Sequence, residues 1–138
     1  MQPVQQRSLH QSFDEVIQVP VIGTVAAGTP ILADQNVEDT ITFPVNLVRN
    51  NNSFMLRVKG DSMINAAILS DDLVIVRPQQ SADDGQIVVA RIGDEATVKR
   101  LSRKNGQIWL LPENENYDPI DGREAELIGI VKAVVREY

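Results

Sequence analysis

With 138 residues, the chain is long enough for one domain of ordinary size, and its 43% hydrophobic content is normal for a packed core. Its net charge of −6 argues against direct binding of nucleic acid, because domains that bind nucleic acid usually carry a basic surface. The absence of cysteine excludes disulfides and cysteine-bound metals, and no apolar run approaches the ~20 residues that cross a bilayer. We therefore expect a cytoplasmic protein with no membrane partner.

The start of the chain differs in composition from the rest. Residues 1–18 are polar and rich in glutamine, which predicts a linker or flexible arm. From residue 19 onward, apolar runs alternate with turn residues. The sequence therefore predicts one folded domain over residues 19–138.

The first half of that domain predicts short strands. Residues 19–25 contain Pro20 and Gly23, which suit an edge strand or an extended segment. Further strands are predicted at residues 40–43, 53–58 and 73–76. Residues 63–69, between the last two of these strands, predict one helical turn.

The second half predicts hairpins. Gly93-Asp94 and Asn105-Gly106 are turn dipeptides, and the second is the strongest hairpin signal in the chain. Strands are predicted at residues 86–92 and 95–101, on either side of the first turn, and at residues 107–111, after the second turn. A further strand is predicted at residues 124–135. Short strands with regular turn punctuation indicate a compact, mostly antiparallel β fold.

Ser62 and Lys99 are the candidates for nucleophilic chemistry. The only histidine, His10, lies in the polar N-terminal stretch, whereas a Ser–Lys pair works with lysine as the base. Ser62 follows a strand and a glycine, at a turn that can expose its hydroxyl and aim backbone N–H groups at an oxyanion. Lys99 lies in an apolar strand, where burial can lower a lysine pKa by up to ~3–5 units.

Each of these motifs alone also fits a purely structural role. A serine after Gly-Asp is more often a turn residue or a helix cap. A lysine in an alternating strand usually faces solvent, and small residues such as Ala26 and Ala27 are common in loops. No metal site is expected, because the aspartates at positions 61, 71, 72, 83 and 84 match no Ca²⁺-loop spacing.

Four segments in order carry a resemblance that the single motifs lack. They are Val-Pro-Val-Ile-Gly-Thr-Val-Ala-Ala-Gly (19–28), Val-Lys-Gly-Asp-Ser-Met (58–63), Ala-Thr-Val-Lys-Arg-Leu (96–101) and Leu-Leu-Pro-Glu-Asn (110–114). Together they resemble the self-cleaving Ser–Lys peptidase domain of the family that includes LexA, UmuD and lambda-type repressors. The resemblance runs from about residue 19 to the end of the chain. It implies a β domain of the LexA/signal-peptidase type with a mobile cleavage loop.

The resemblance also implies roles for individual residues. Ala27-Gly28 resembles the scissile bond, with Ser62 as the nucleophile and Lys99 as the general base. The remaining implied positions are the loop residues Val25 and Ala26 in the substrate cleft, the backbone N–H groups of Asp61 and Ser62 as oxyanion donors, and Met63 in the cleft lining. No cofactor is expected.

The partners expected from the resemblance are a RecA–ssDNA filament, which favours the cleavage-competent loop, and a second copy of the chain, paired through the apolar strand at residues 127–135. DNA contact is expected only through an N-terminal winged helix-turn-helix domain, for which this sequence has no counterpart. Two alternatives stay open. A UmuD-like subunit would serve a translesion polymerase, although its cleaved bond is typically Cys-Gly, and a dimerisation module would keep the fold without the activity.

Overall fold

The computed structural model describes residues 15–46, 48 and 52–138, and within them the chain forms one nine-stranded sheet. The strands are β1 (Val16–Ile22), β2 (Val37–Pro44), β3 (Phe54–Arg57), β4 (Leu73–Pro78), β5 (Ile87–Ile92), β6 (Glu95–Lys104), β7 (Gln107–Leu111), β8 (Ile120–Asp121) and β9 (Glu126–Val135). Their order in the sheet is β2-β1-β3-β4-β9-β5-β6-β7-β8. Short 3₁₀ helices span Asp34–Asn36, Ile64–Ala66 and Gly122–Glu124.

The mostly antiparallel β fold is confirmed. Every strand pair is antiparallel except β1 with β3, which run parallel and pair only Val21 with Met55 and Ile22 with Leu56. The hairpins at Gly93-Asp94 and Asn105-Gly106 form as predicted. In the second, both turn residues have positive φ, at 54° and 75°, as a two-residue type I′ turn requires.

The sequence predicts an edge strand or an extended segment over residues 19–25, and the edge position is wrong. The strand begins at Val16 and ends at Ile22, and it lies between β2 and β3. Because β3 pairs only with the last two residues of β1, the stretch that contains Pro20 has a partner on one side only and tolerates the missing N–H. Residues 16–18 of the predicted linker therefore belong to the sheet, and residues 1–14 lie outside the described residues.

The C-terminal strand lies in the middle of the sheet. Residues 126–130 of β9 pair with β5, and residues 129–135 pair with β4. The predicted start at residue 124 is two positions early, because Gly122–Glu124 forms a 3₁₀ helix instead. The strand joins the two halves of the sheet, so it fixes β3 and β4 relative to β5 and β6.

The main apolar core lies where those two halves meet, and it places the loop after β3. Its buried side chains are Ile22, Ile31, Phe54, Leu56, Val58, Met63, Ile68, Val74, Val76, Val89 and Val98. Burial of each such side chain contributes about 1.5–3 kcal/mol. Since Met63 and Ile68 belong to this core, the loop that carries Ser62 is anchored beside β6.

Candidate active site

Ser62 lies in the loop between β3 and β4, which backbone hydrogen bonds close at its base. The N–H of Val58 donates to the carbonyl of Asp72 at 2.8 Å, and the N–H of Asp71 donates to the carbonyl of Val58 at 2.8 Å. Within the loop, Gly60 has a φ of +83°, a conformation that residues with a side chain rarely adopt. The chain therefore turns sharply just before Ser62.

Buried anchors hold this loop at its far end. Met63 and Ile68 are 1% and 2% exposed. The guanidinium of Arg136, just after β9, donates to both carboxylate oxygens of Asp72 at 2.7 Å and to the carbonyl of Ala67 at 3.0 Å. This bidentate pair holds the pKa of Asp72 below its ordinary value. The position of Ser62 is thus set by the fold before any substrate arrives.

Lys99 meets Ser62 from β6, where it lies opposite Val88 of β5. Its Nζ is 3.1 Å from Ser62 Oγ, 2.6 Å from Thr97 Oγ1 and 3.1 Å from the carbonyl oxygen of Val98. Thr97 and Lys99 are two residues apart on one strand, so their side chains share a face of the sheet. The side chain of Lys99 therefore ends among three oxygens, one of which belongs to Ser62.

Burial favours the neutral amine at this position. Lys99 is 5% exposed, and the loss of hydration lowers the pKa of its amine. Among the described residues no carboxylate forms an ion pair with it. A neutral amine has two N–H donors, which match Thr97 Oγ1 and the Val98 carbonyl, and one lone pair, which is left to accept the Ser62 proton.

The backbone around Ser62 leaves two donors unused. The carbonyls of Asp61 and Ser62 accept hydrogen bonds, but neither residue's N–H donates in any hydrogen bond found within residues 15–46, 48 and 52–138. Free, adjacent N–H groups beside a nucleophile are the parts of an oxyanion hole. Tyr117 donates its hydroxyl to the Asp61 carboxylate at 2.6 Å, and this contact raises the pKa of the phenol.

A cleft of about 270 Å³ opens beside Ser62. Its walls are residues 23–25, the end of β3 with the start of the following loop, and Asp94 with the first residues of β6. Val25 and Met63 both line it, and Met63 at the same time fills the main core. The cleft therefore lies between the segment after β1 and the start of β6, with Ser62 on its wall.

The Ala27-Gly28 bond lies outside this cleft. Both residues are exposed, and neither they nor Ala26 line the cleft beside Ser62. Gly28 has a φ of +74° in a tight turn, and it borders a separate groove together with Arg91. The structure thus brings Val25 to the cleft of Ser62 and leaves the predicted scissile bond at a neighbouring position.

Two side chains hold the loop in this arrangement. Asn36, 3% exposed, accepts from the N–H of Ala26 at 2.8 Å and donates to the carbonyl of Pro30 at 2.9 Å. Asp94, at the tip of the β5–β6 hairpin, accepts from the N–H of Gly28 at 3.2 Å. A buried amide and an exposed carboxylate therefore fix opposite ends of the Ala27-Gly28 turn.

Sequence reasoning missed Thr97, Asn36 and Asp94. Thr97 carried a signal, because a polar residue two positions before Lys99 on a strand shares its face. The other two carried none, since Asp94 contacts a residue 66 positions away and Asn36 acts through a loop without a repeating pattern. Clusters of three or more acidic or histidine side chains suited to a metal are absent from the part of the chain described. No helix there is long and apolar enough to cross a membrane.

Comparison with known proteins places the chain in a family. The Peptidase S24-like family matches residues 20–135. The LexA repressor of Thermobifida fusca is 50% identical over 124 residues, which cover 90% of this chain and 49% of that protein. The LexA repressor of Nocardioides sp. is 53% identical over 118 residues, covering 86% and 48%, and that of Clostridium tetani is 50% identical over 125 residues, covering 90% and 62%.

The chain spans less than two thirds of the length of these relatives. Within that span, however, the match covers nearly all of the sheet described above, from β1 to β9. The loop that carries Ser62 and the strand that carries Lys99 both lie inside it. The chain belongs to the Peptidase S24-like family.

Proposed function

We propose that the chain is the self-cleaving peptidase domain of an SOS-response repressor of the LexA type, which cuts its own Ala27-Gly28 bond. The observation that carries the proposal is the 3.1 Å approach of the Lys99 amine to Ser62 Oγ, at a lysine that is 5% exposed. A serine hydroxyl is a weak nucleophile until a base takes its proton, and a buried lysine without a carboxylate partner is suited to that task.

The chemistry then proceeds as acyl transfer. Lys99 Nζ takes the proton of Ser62 Oγ, which attacks the carbonyl carbon of Ala27. The N–H groups of Asp61 and Ser62 stabilise the oxyanion. Lys99 returns its proton to the nitrogen of Gly28, the peptide bond breaks, and water hydrolyses the Ala27 ester in a second cycle of the same proton transfers.

The loop has to move before this reaction starts. Val25 already lines the cleft, so a local shift of the chain after it would carry Ala27 towards Ser62. The shift breaks the hydrogen bond between Gly28 and Asp94. Because substrate and nucleophile belong to one chain, docking supplies the bond at high effective concentration. A RecA–ssDNA filament would act by favouring the docked arrangement.

The C-terminal strand supports a homodimer. Residues 131–135 pair with β4 on one side, and on the other side β5 pairs only as far as Ile130 among the residues described. Val134 in this stretch is 41% exposed. An unpaired apolar strand edge can add a strand from a second copy about a two-fold axis. DNA contact would belong to a separate winged helix-turn-helix domain, since this chain is acidic.

The mass of the intact chain after incubation between pH 7 and about 10.5 tests the proposed function. We expect two fragments that meet at Ala27 and Gly28, increasing with pH as Lys99 loses its proton. Ser62→Ala stays whole at every pH, while Ser81→Ala, an exposed serine outside the cleft, is cut like the unchanged chain. An uncut parent chain, with or without RecA filaments, would leave only a dimerisation module.

A further inference from the structure

The segment at residues 110–114 has no part in the chemistry described so far, yet its continuation crosses the Ser62 loop. β7 ends at Leu111, and the chain continues as a strap, which we define as residues 112–117. The N–H of Glu113 donates to the Ser62 carbonyl, and its own carbonyl accepts from the N–H of Asn65, both at 2.8 Å. The strap therefore pairs with the nucleophile loop through its backbone.

One side chain of the strap reaches the residue before the nucleophile. Asn114 Nδ2 donates to the carbonyl oxygen of Asp61 at 2.9 Å, while the N–H of Ile64 reaches the same oxygen at 3.2 Å. In a trans peptide the carbonyl and the following N–H point in opposite directions. The direction of the Asp61 carbonyl therefore fixes the direction of the Ser62 N–H, which lies beside Ser62 Oγ and has no acceptor among the residues that the structure describes.

Asn114 is itself held in place. Its Oδ1 accepts from the N–H of Asn116 at 2.9 Å, and its backbone carbonyl accepts from the N–H of Tyr117 at 3.1 Å. An amide side chain can accept on one atom and donate from the other, which a carboxylate cannot do when ionised. The side chain thus links a local turn of the strap to the Asp61–Ser62 peptide.

The strap is also tied to the strand of the base. The guanidinium of Arg100, next to Lys99 on β6, lies 3.6 Å from the Glu113 carboxylate. The strap therefore contacts both the nucleophile loop and the strand that supplies the amine. Its tip is exposed at Tyr117, 43% accessible, so the strap is a surface brace and not part of the apolar core.

We propose that Asn114 is a positioning residue for catalysis, which aims the Ser62 N–H at the oxyanion by holding the Asp61 carbonyl. This inference rests on the proposed self-cleavage and adds a group that never touches the reacting atoms. Preorganised donors act at the position where charge develops, so a small tilt of the Asp61–Ser62 peptide weakens catalysis without altering the base. Asn114 therefore controls the rate of the chemical step and not the protonation of Lys99.

The test is the pH dependence of self-cleavage in Asn114→Ala and Asn114→Asp, with Asn116→Ala as the matched control on the same strap. Removal of an oxyanion donor costs about 10²–10³ in rate, so a tilted donor should lower the alkaline plateau about tenfold to a hundredfold. The apparent pKa of Asn114→Ala stays that of the unchanged chain. Asn114→Asp keeps the acceptor for Asn116 N–H, so it decides the outcome if Asn114→Ala fails to fold.

Three results would overturn the inference while leaving the proposed function intact. They are plateaus of both variants within about twofold of the unchanged chain, an equal loss in Asn116→Ala, or a shifted apparent pKa with an intact plateau. A parent chain that is never cut would instead overturn the proposed function, and the role of Asn114 with it.

Discussion

Two loops, named for their proposed roles, are held in different ways: the nucleophile loop, which carries Ser62 between β3 and β4, and the cleavage loop, which carries Ala27-Gly28 between β1 and β2. The nucleophile loop is anchored by two buried apolar side chains, a bidentate ion pair and backbone hydrogen bonds at its base. The cleavage loop exposes its Ala27-Gly28 turn, which the buried amide of Asn36 holds on the Ala26 side and the exposed carboxylate of Asp94 holds on the Gly28 side. If the chain cuts itself as proposed, the pair of Ser62 and Lys99 is already assembled, and the step left to control is the movement of Ala27-Gly28 into the cleft.

The largest effect on self-cleavage is expected from replacing Lys99, the proposed base, on the side of the site that the fold holds in place. Lys99→Arg keeps a positive charge, but a guanidinium stays protonated and cannot accept the Ser62 proton. We expect cleavage to fall by about 10³-fold or more across the alkaline range. The measurement is the fraction of intact chain over time, with Lys104→Arg, an exposed lysine at the end of β6, as control. Cleavage near the parent rate would show that Lys99 is not the base.

Thr97→Val tests the contribution of one hydrogen bond of the Lys99 amine. It removes the 2.6 Å acceptor of Lys99 Nζ and leaves the amine less well oriented, so the plateau rate should fall about tenfold. An acceptor that stabilises the ammonium is also lost, so the apparent pKa should move further down. A rate–pH profile measures both quantities, with the exposed Thr42→Val as control. An upward shift of the apparent pKa would contradict the geometry described for Nζ.

Burial of the Lys99 amine should lower the free energy of unfolding, and Lys99→Met tests this. In the Ser62→Ala background, where neither chain is cut, this substitution should raise the free energy of unfolding by about 1 kcal/mol at pH 7. The unfolded chain binds more protons than the folded chain between the lowered pKa of Lys99 and 10.5. The free energy of unfolding of the Ser62→Ala chain that keeps Lys99 therefore rises with pH in that window. The difference in stability between it and the Lys99→Met chain becomes smaller.

Denaturant unfolding at pH 7 and near pH 10 measures this change, and Lys104→Met provides the exposed control. A difference in stability that does not change with pH would mean that Lys99 titrates equally in the folded and unfolded chains.

The smallest effect is expected from Asp94→Ala, which changes a contact of the cleavage loop. The substitution removes the acceptor of the Gly28 N–H and so lowers the cost of leaving the undocked arrangement. One exposed hydrogen bond contributes about 0.5–1.5 kcal/mol, so cleavage should become about two- to tenfold faster. The rate of fragment formation at fixed pH measures this, and Asp39→Ala on β2 matches the change in charge. Slower cleavage would show that Asp94 assists docking instead of opposing it.

Local signals predicted the hairpins and the strand of the base well. The Gly93-Asp94 and Asn105-Gly106 turns specify β5, β6 and β7 by short-range chemistry, so the sequence places Lys99 on a strand correctly. The strand order could not be predicted in the same way. β1 and β9 lie inside the sheet because distant segments pair with both of their sides, and two-residue β8 leaves no periodic pattern at all.

The sequence predicts residues for the candidate site, but it does not predict how the fold arranges them. The four ordered motifs single out Ser62 and Lys99, and the fold brings their side chains within 3.1 Å although 37 positions separate them. The resting position of Ala27-Gly28 depends instead on Asp94 and Asn36, whose contacts follow from loop geometry that no local pattern encodes. Polar contacts that a single side chain makes with a residue far away in the sequence can be identified only once the fold is known.

The titration of the Lys99 amine, followed by NMR at its Cε and Nζ in the uncut Ser62→Ala chain, tests most directly whether Lys99 can act as the base for Ser62. We expect a pKa for Lys99 below the ordinary value of a lysine amine, matching the midpoint at which self-cleavage of the parent chain rises with pH. A Lys99 that titrates like the exposed lysines of the same chain would contradict it, because the buried amine would then be protonated when Ser62 needs a base.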